Sequence, residues 1–241
     1  MAAVIFTLMV VVAPAFSVEG SDSQIVSGHV QTQAGDLPFI LIKPLNLGAS
    51  KRRPLFIFMH GQGSTPENVL EKNKALLTRQ NFYVVLPRAP TRQGDGFSWY
   101  QLADPYRFAA DLERDEGLIR QMIEQLLEAH NIDPSQIVLS GFSQGGRAAF
   151  YVGFRNPALF SEIAPIAGGY NPELLDSHLD KLGRLKINIF HGTMDEINPF
   201  EQMKNAYIKL KQAGANVTLT TYPLGHTYTT EILSRVLGGI D

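Results

Sequence analysis

The chain has 241 residues, no cysteine, and a formal charge of -2 from 21 basic and 23 acidic side chains. Near-neutrality gives no electrostatic footprint for nucleic acid, whose binding normally needs a concentrated basic face, and the lack of cysteine excludes disulfides, thiolate metal sites and a thiol nucleophile. With 44% hydrophobic and 18% charged residues, the sequence can bury the core of one globular domain.

The first segment is set apart by its composition. Residues 2–12 are almost continuously apolar, and Ala15-Phe16-Ser17 places small residues at the two positions that a signal peptidase reads. This predicts a leader over 1–17, cleavage before Val18, and a secreted or periplasmic domain over 18–241. A membrane anchor is the rival reading. The apolar run is shorter than the ~20 residues of a spanning helix, so no stable membrane span is expected.

Strands over 24–30 and 37–43 flank a polar connection and predict an antiparallel hairpin at a sheet edge. Lys51-Arg52-Arg53, the basic run, precedes an uncharged strand over 55–59 and reads as a solvated loop. His60-Gly61-Gln62-Gly63 ends that strand. Thr65-Pro66-Glu67 then supplies an N-cap, a first-turn proline and a first-turn acid for a helix. A strand over 83–87 leads into residues 91–106, where Gly94 and Gly96 lie beside Phe97, Trp99 and Tyr100. Aromatics in such a loop favour a substrate wall, with a folded-back core anchor as the alternative.

Leu112, Ile119, Met122, Ile123, Leu126 and Leu127 form the one-sided stripe of a core-packed helix. His130-Asn131 ends it, and Asp133-Pro134 turns the chain into the strand over 137–139. Further strands are predicted over 162–167, 187–190 and 217–222. The alternation of strands and helices predicts an α/β fold with a mostly parallel sheet covered on both faces.

Chemistry enters at Gly141-Phe142-Ser143-Gln144-Gly145-Gly146. A serine between glycines, after an apolar strand and before a helix, fits a sharp nucleophile elbow whose helix start offers orphan N–H groups to an oxyanion. A tight turn in any α/β protein is the bland alternative. In this fold class an acid and then a histidine follow the serine. Asp195 lies beyond the strand over 187–190, and His226 follows the strand over 217–222. His226 would take the Ser143 proton while Asp195 fixes its tautomer. His191 precedes Asp195 and reads as a structural group.

The motifs His60-Gly61-Gln62-Gly63, Phe97-Ser98-Trp99-Tyr100, Gly141 to Gly146, His191-Gly192-Thr193-Met194-Asp195 and Gly225-His226 resemble, in this order, those of the phospholipase/carboxylesterase family, which includes acyl-protein thioesterases. The resemblance covers residues 54–241. It implies an α/β-hydrolase fold, hydrolysis of small-molecule esters or thioesters, and no cofactor or metal. Ser143, Asp195 and His226 match the family's nucleophile, acid and base. The backbones of Gln62 and Gln144 match its oxyanion donors, and Trp99 matches an aromatic position near the acyl pocket. Two positions depart from the pattern. Arg147 stands where a small residue is expected, and Asn198 replaces an apolar residue before Pro199.

These observations point to a serine carboxylesterase acting on small or medium acyl esters, lysophospholipids or thioesters. Polyester depolymerases and feruloyl esterases share the skeleton and remain alternatives. A noncatalytic binding protein on the same fold is the reading from another class, and a full set of three candidate residues argues against it.

Overall fold

The computed structural model describes residues 25–32, 35–45, 51–101 and 105–240. The leader expected over 1–17 and its cleavage point lie outside these residues. Strands β1 (Ile25–Thr32), β2 (Gly35–Ile42), β3 (Arg53–Met59) and β4 (Tyr83–Pro87) are followed by a small hairpin, β5 (Thr91–Gln93) and β6 (Gly96–Ser98). Then come β7 (Ile132–Phe142), β8 (Glu162–Ile166), β9 (Lys186–Gly192) and β10 (Asn216–Tyr222). Apart from the hairpin, the strands form one sheet in the order β1-β2-β4-β3-β7-β8-β9-β10. The β1-β2 and β2-β4 pairings are antiparallel and all others parallel. This is the expected mostly parallel sheet with an antiparallel edge hairpin.

Period-2 alternation sends neighbouring side chains to opposite faces. From β3, Leu55, Ile57 and Met59 enter one core, with helices α2 (Pro105–Ala129), α3 (Gln144–Arg155) and α5 (Phe200–Gln212). Phe56 and Phe58 enter the other, with α1 (Pro66–Leu77) and α6 (Thr230–Leu237). A short α4 (Pro172–Leu175) lies between β8 and β9. Burial on both faces explains why β3, β4 and β8 read as continuous apolar runs.

The local signals act as expected at α1, where the Thr65 hydroxyl accepts from the Asn68 N–H at 3.2 Å and Pro66 occupies the first turn. The α2 stripe is buried at Leu112, Ile119, Met122, Ile123 and Leu126.

Two local expectations differ. Asp133-Pro134 does not precede the elbow strand but bulges within it: Arg53 pairs with Ile132 and Leu55 with Ile137. The Asp133 carboxylate accepts from both the N–H and hydroxyl of Ser135, so the turn chemistry survives as an irregularity between two paired stretches. The connection after β4 is ordered by the β5-β6 hairpin, whose turn uses Gly94 at φ +58°.

Candidate active site

The end of β7 and the start of α3 leave Ser143 between them at φ +55° and ψ -113°. For a residue with a Cβ this is strained, at a cost on the order of 1–3 kcal/mol, and the surroundings must impose it. Glycines permit that. A Cβ on Gly145 would stand 2.2 Å from the Met59 carbonyl oxygen, and one on Gly141 would stand 2.6 Å from the Gly145 carbonyl. The Ser143 N–H donates to the Ile166 carbonyl at 2.9 Å, pinning the turn to β8.

His226 lies on the loop after β10, and Asp195 on the loop after β9. A Cβ on Gly192 would stand 2.3 Å from the Leu224 carbonyl, so only glycine lets the two loops close together. The Met194 N–H donates to that same carbonyl at 3.0 Å. His226 Nδ1 is 2.8 Å from Asp195 Oδ2 and its Nε2 is 2.7 Å from Ser143 Oγ. The carboxylate can only accept, so Nδ1 carries the proton and Nε2 presents a lone pair to the serine hydroxyl. The other Asp195 oxygen accepts from the N–H groups of Ile197 and Asn198 at 2.9 and 2.8 Å. Ser143, His226 and Asp195 thus form one hydrogen-bonded line drawn from three separate loops.

His191 takes a different place. Its Nε2 lies 2.8 Å from the Asn198 carbonyl, to which it donates, and 3.5 Å from Asp195 Oδ2. It is buried behind the acid, and burial lowers its pKa.

The backbone N–H of Gln144 begins α3, and that of Gln62 lies in the loop after β3. Among the described residues neither has a protein acceptor, which leaves both free for an oxyanion. The Gln144 side chain has its own task. Its Oε1 accepts from Trp99 N–H at 2.8 Å and Ser98 Oγ at 3.0 Å, and its Nε2 donates to the Tyr100 carbonyl at 2.8 Å. The elbow is thereby tied to residues 98–100.

Trp99 is not a substrate wall. Its side chain has 0% exposure, and its indole N–H donates to the His60 carbonyl at 2.8 Å. The large ring and its single donor are both satisfied beneath the site, so the core-anchor alternative holds for this residue. Its partner His60 is also structural: Nε2 accepts from the Ala89 N–H at 3.0 Å, and Nδ1 donates to the Gly61 carbonyl at 2.8 Å. Burial lowers its pKa to about 4, so it stays neutral.

Asn198 uses every polar group it has. Its N–H reaches Asp195, its carbonyl accepts from His191, and its Nδ2 donates to the Ala167 carbonyl at 2.8 Å. Its Oδ1 accepts from Arg147 at 3.2 Å. Arg147 lies against Gly169, where a Cβ would come within 2.2 Å of the guanidinium.

Ser143 and His226 open into a cleft of about 310 Å³, bordered also by Phe58, Gly61, Gln62, Ser64, Asn68, Val69, Lys72, Phe142 and Tyr228. The Phe142 ring lies 5.1 Å from the His226 ring. Lys72 and Asn68 come from α1, which the sequence marks only as a capped helix. Their spacing of four residues on one helix face was the available signal, but nothing local showed that this face turns towards the serine. The Asn198 network was equally hidden, because its side-chain partners, Ala167 just after β8 and Arg147 on α3, are far away in sequence. Among the described residues, no cluster of three His, Asp or Glu side chains could hold a metal ion, and no helix is long and apolar enough to cross a membrane.

The chain is similar in sequence and in fold to known esterases and thioesterases. Acyl-protein thioesterase 1 of Gibberella zeae is 28% identical over 214 residues, covering 78% of this chain and 89% of that protein. Poly(3-hydroxyalkanoate) depolymerase C of Paucimonas lemoignei is 28% identical over 144 residues, covering 57% of this chain and 33% of that protein. The chain spans less than half the length of several relatives that it matches. The crystal structure of a carboxylesterase from Mesorhizobium loti superposes with a TM-score of 0.69 at 21% identity, covering 88% of this chain and 99% of that one. That likeness shows the α/β-hydrolase fold. Residues 45–240 match the phospholipase/carboxylesterase profile, and the chain belongs to that family.

Proposed function

We propose that the protein is a serine hydrolase of carboxylic esters with small or medium acyl groups, working through an acyl-enzyme on Ser143. The observation that carries this reading is the 2.7 Å approach of His226 Nε2 to Ser143 Oγ, inside an open cleft and with Asp195 on the opposite ring nitrogen.

Ser143 Oγ attacks the ester carbonyl carbon as its proton passes to His226 Nε2. The carbonyl oxygen becomes an oxyanion beside the N–H groups of Gln62 and Gln144, and loss of one such donor costs about 3–4 kcal/mol in comparable sites. The imidazolium, held by Asp195, returns the proton to the leaving alkoxide, and an acyl-serine remains. Water then repeats the sequence: His226 removes its proton, hydroxide adds to the acyl carbon, and the Ser143 oxygen leaves reprotonated. No step calls on a metal or organic cofactor. The name of the thioesterase relative supports thioesters in the same reading, where a thiolate leaves in place of an alkoxide, and lysophospholipids, whose scissile bond is a carboxylic ester, are open to the same steps.

The strained Ser143 backbone supports catalysis over a binding-only role, because a ligand platform has no use for a serine held at positive φ beside a histidine lone pair. The test is covalent labelling by a fluorophosphonate, mapped by mass spectrometry. Label on Ser143, absent in Ser143→Ala, together with turnover of p-nitrophenyl butyrate, is the expected result. A folded wild-type protein that neither labels nor turns over esters would refute it.

A further inference from the structure

The cleft beside Ser143 and His226 has an asymmetric charge. Lys72 borders it, and no Asp, Glu or Arg side chain does among the described residues. The ammonium group is held in place: it donates to the Tyr228 carbonyl at 2.8 Å and lies 3.8 Å from the centre of the Tyr228 ring. These partners are neutral, and the described ion pairs give Lys72 no carboxylate. Desolvation holds its pKa below the ordinary lysine value. A cation fixed on the border of a cleft, held by neutral partners, offers its charge to whatever enters.

Resting on the ester-hydrolase reading, we propose that Lys72 selects esters whose alcohol half carries a carboxylate. The alcohol half is singled out by His226, because the group that protonates the leaving oxygen must be within hydrogen-bond reach of it. The alcohol therefore departs along the part of the cleft that His226 and Tyr228 border, and Tyr228 is the residue that holds the ammonium group. A single ammonium balances a single carboxylate. The cleft lacks the arginine fork that favours bidentate anions. Phe58, Val69 and Phe142 give the lining an apolar part, suited to the hydrocarbon portion of the same substrate.

The test compares kcat/KM for phenyl butyrate and 3-(butyryloxy)benzoate, which differ by one carboxylate on the alcohol half. Wild type, Lys72→Met and Lys72→Arg are measured at two salt concentrations. The ratio of carboxylate ester to neutral ester is expected to fall roughly five- to tenfold in Lys72→Met, to recover in Lys72→Arg, and to shrink for the wild type as salt rises. Monophenyl succinate carries its carboxylate on the acyl half, and its ratio to phenyl butyrate should hold across the three proteins. A benzoate ratio unchanged by Lys72→Met overturns the proposal, and so does an equal fall for the succinate. Absence of turnover on every ester, with no fluorophosphonate label on Ser143, removes the hydrolase reading and this inference with it.

Discussion

The Arg147 guanidinium donates to Asn198 Oδ1 across 3.2 Å, joining the helix behind the nucleophile to the loop that carries the acid. Both residues depart from the family pattern, and each is the other's partner. A small residue at 147 would leave Asn198 Oδ1 without this donor, and an apolar residue at 198 would leave the guanidinium without this acceptor. The pairing also reaches the chemistry, because the Asn198 N–H holds Asp195 Oδ1 at 2.8 Å.

Coupling of this kind is measurable. Asn198→Ala removes the bonds to Arg147 and Ala167 but keeps both backbone bonds, so a loss of about 1–2 kcal/mol in stability and a roughly tenfold fall in kcat are expected. Arg147→Ala should cost less. The double variant should lose less than the sum of the two, because the shared bond is counted once. Urea denaturation and initial rates give the cycle, and strict additivity would show that the pair carries no coupling.

The two histidines near Asp195 separate by role. His226→Ala should lower kcat by roughly a thousandfold or more with the fold intact, since both the base and the acid of the cycle are lost. His191→Ala should act first on stability, as its one strong bond runs to the Asn198 carbonyl. Thermal melts beside kcat for each variant distinguish them. A folded His226→Ala enzyme with near-normal kcat would leave the triad assignment untenable.

The sheet and the elbow were legible because their signals are local. Apolar strands buried on both faces, the Thr65 cap and the glycines around Ser143 each depend on residues a few positions apart. Even Asp195 and His226 could be placed, since each sits where a parallel strand gives way to a loop at the same end of the sheet. Trp99 was misplaced for the opposite reason. An aromatic shortly after a pair of glycines looks the same in sequence whether its ring faces solvent or core, and the bond that decides, indole to the His60 carbonyl, spans 39 positions. Lys72 was silent likewise, and Asn198 stood out only as a departure from the family pattern, since the side-chain partners Tyr228, Arg147 and Ala167 lie on distant segments.

Glycine positions give a paired test of close approach. Gly145→Ala sets a methyl group 2.2 Å from the Met59 carbonyl and should destabilise the fold by about 3 kcal/mol or more, through backbone that cannot yield. Gly117 lies within α2, and a methyl group there would meet nothing within 4 Å, so Gly117→Ala should be neutral or stabilising by up to about 1 kcal/mol. Circular dichroism melts compare the two. Equal effects would show that the helix propensity, not the contact with β3, governs both sites.

Because the Trp99 ring is buried, its replacement should not retune substrate choice. Trp99→Phe keeps much of the apolar volume but orphans the His60 carbonyl, at about 1–3 kcal/mol of stability. Relative kcat/KM among p-nitrophenyl acetate, butyrate and octanoate should stay constant even if all three fall. A selective loss on octanoate would restore Trp99 as part of the acyl pocket.

His60 should impose an acid limit on the fold. Its Nε2 must stay unprotonated to accept from Ala89, and burial lowers its pKa from the ordinary 6.5 to about 4. Between those values the unfolded chain binds a proton that the folded one refuses. Stability present above pH 6.5 is therefore lost as pH falls towards 4, by about 3 kcal/mol at most from this residue. Gln at this position has a donor and an acceptor but does not titrate. His60→Gln should be less stable than wild type at pH 7, and the gap should close as pH falls, because the carboxylates that titrate in both proteins cancel. Urea midpoints at pH 7.0, 5.5 and 4.5 measure the gap directly. If the two proteins lose stability in parallel over that range, the buried imidazole is not what limits the fold in acid.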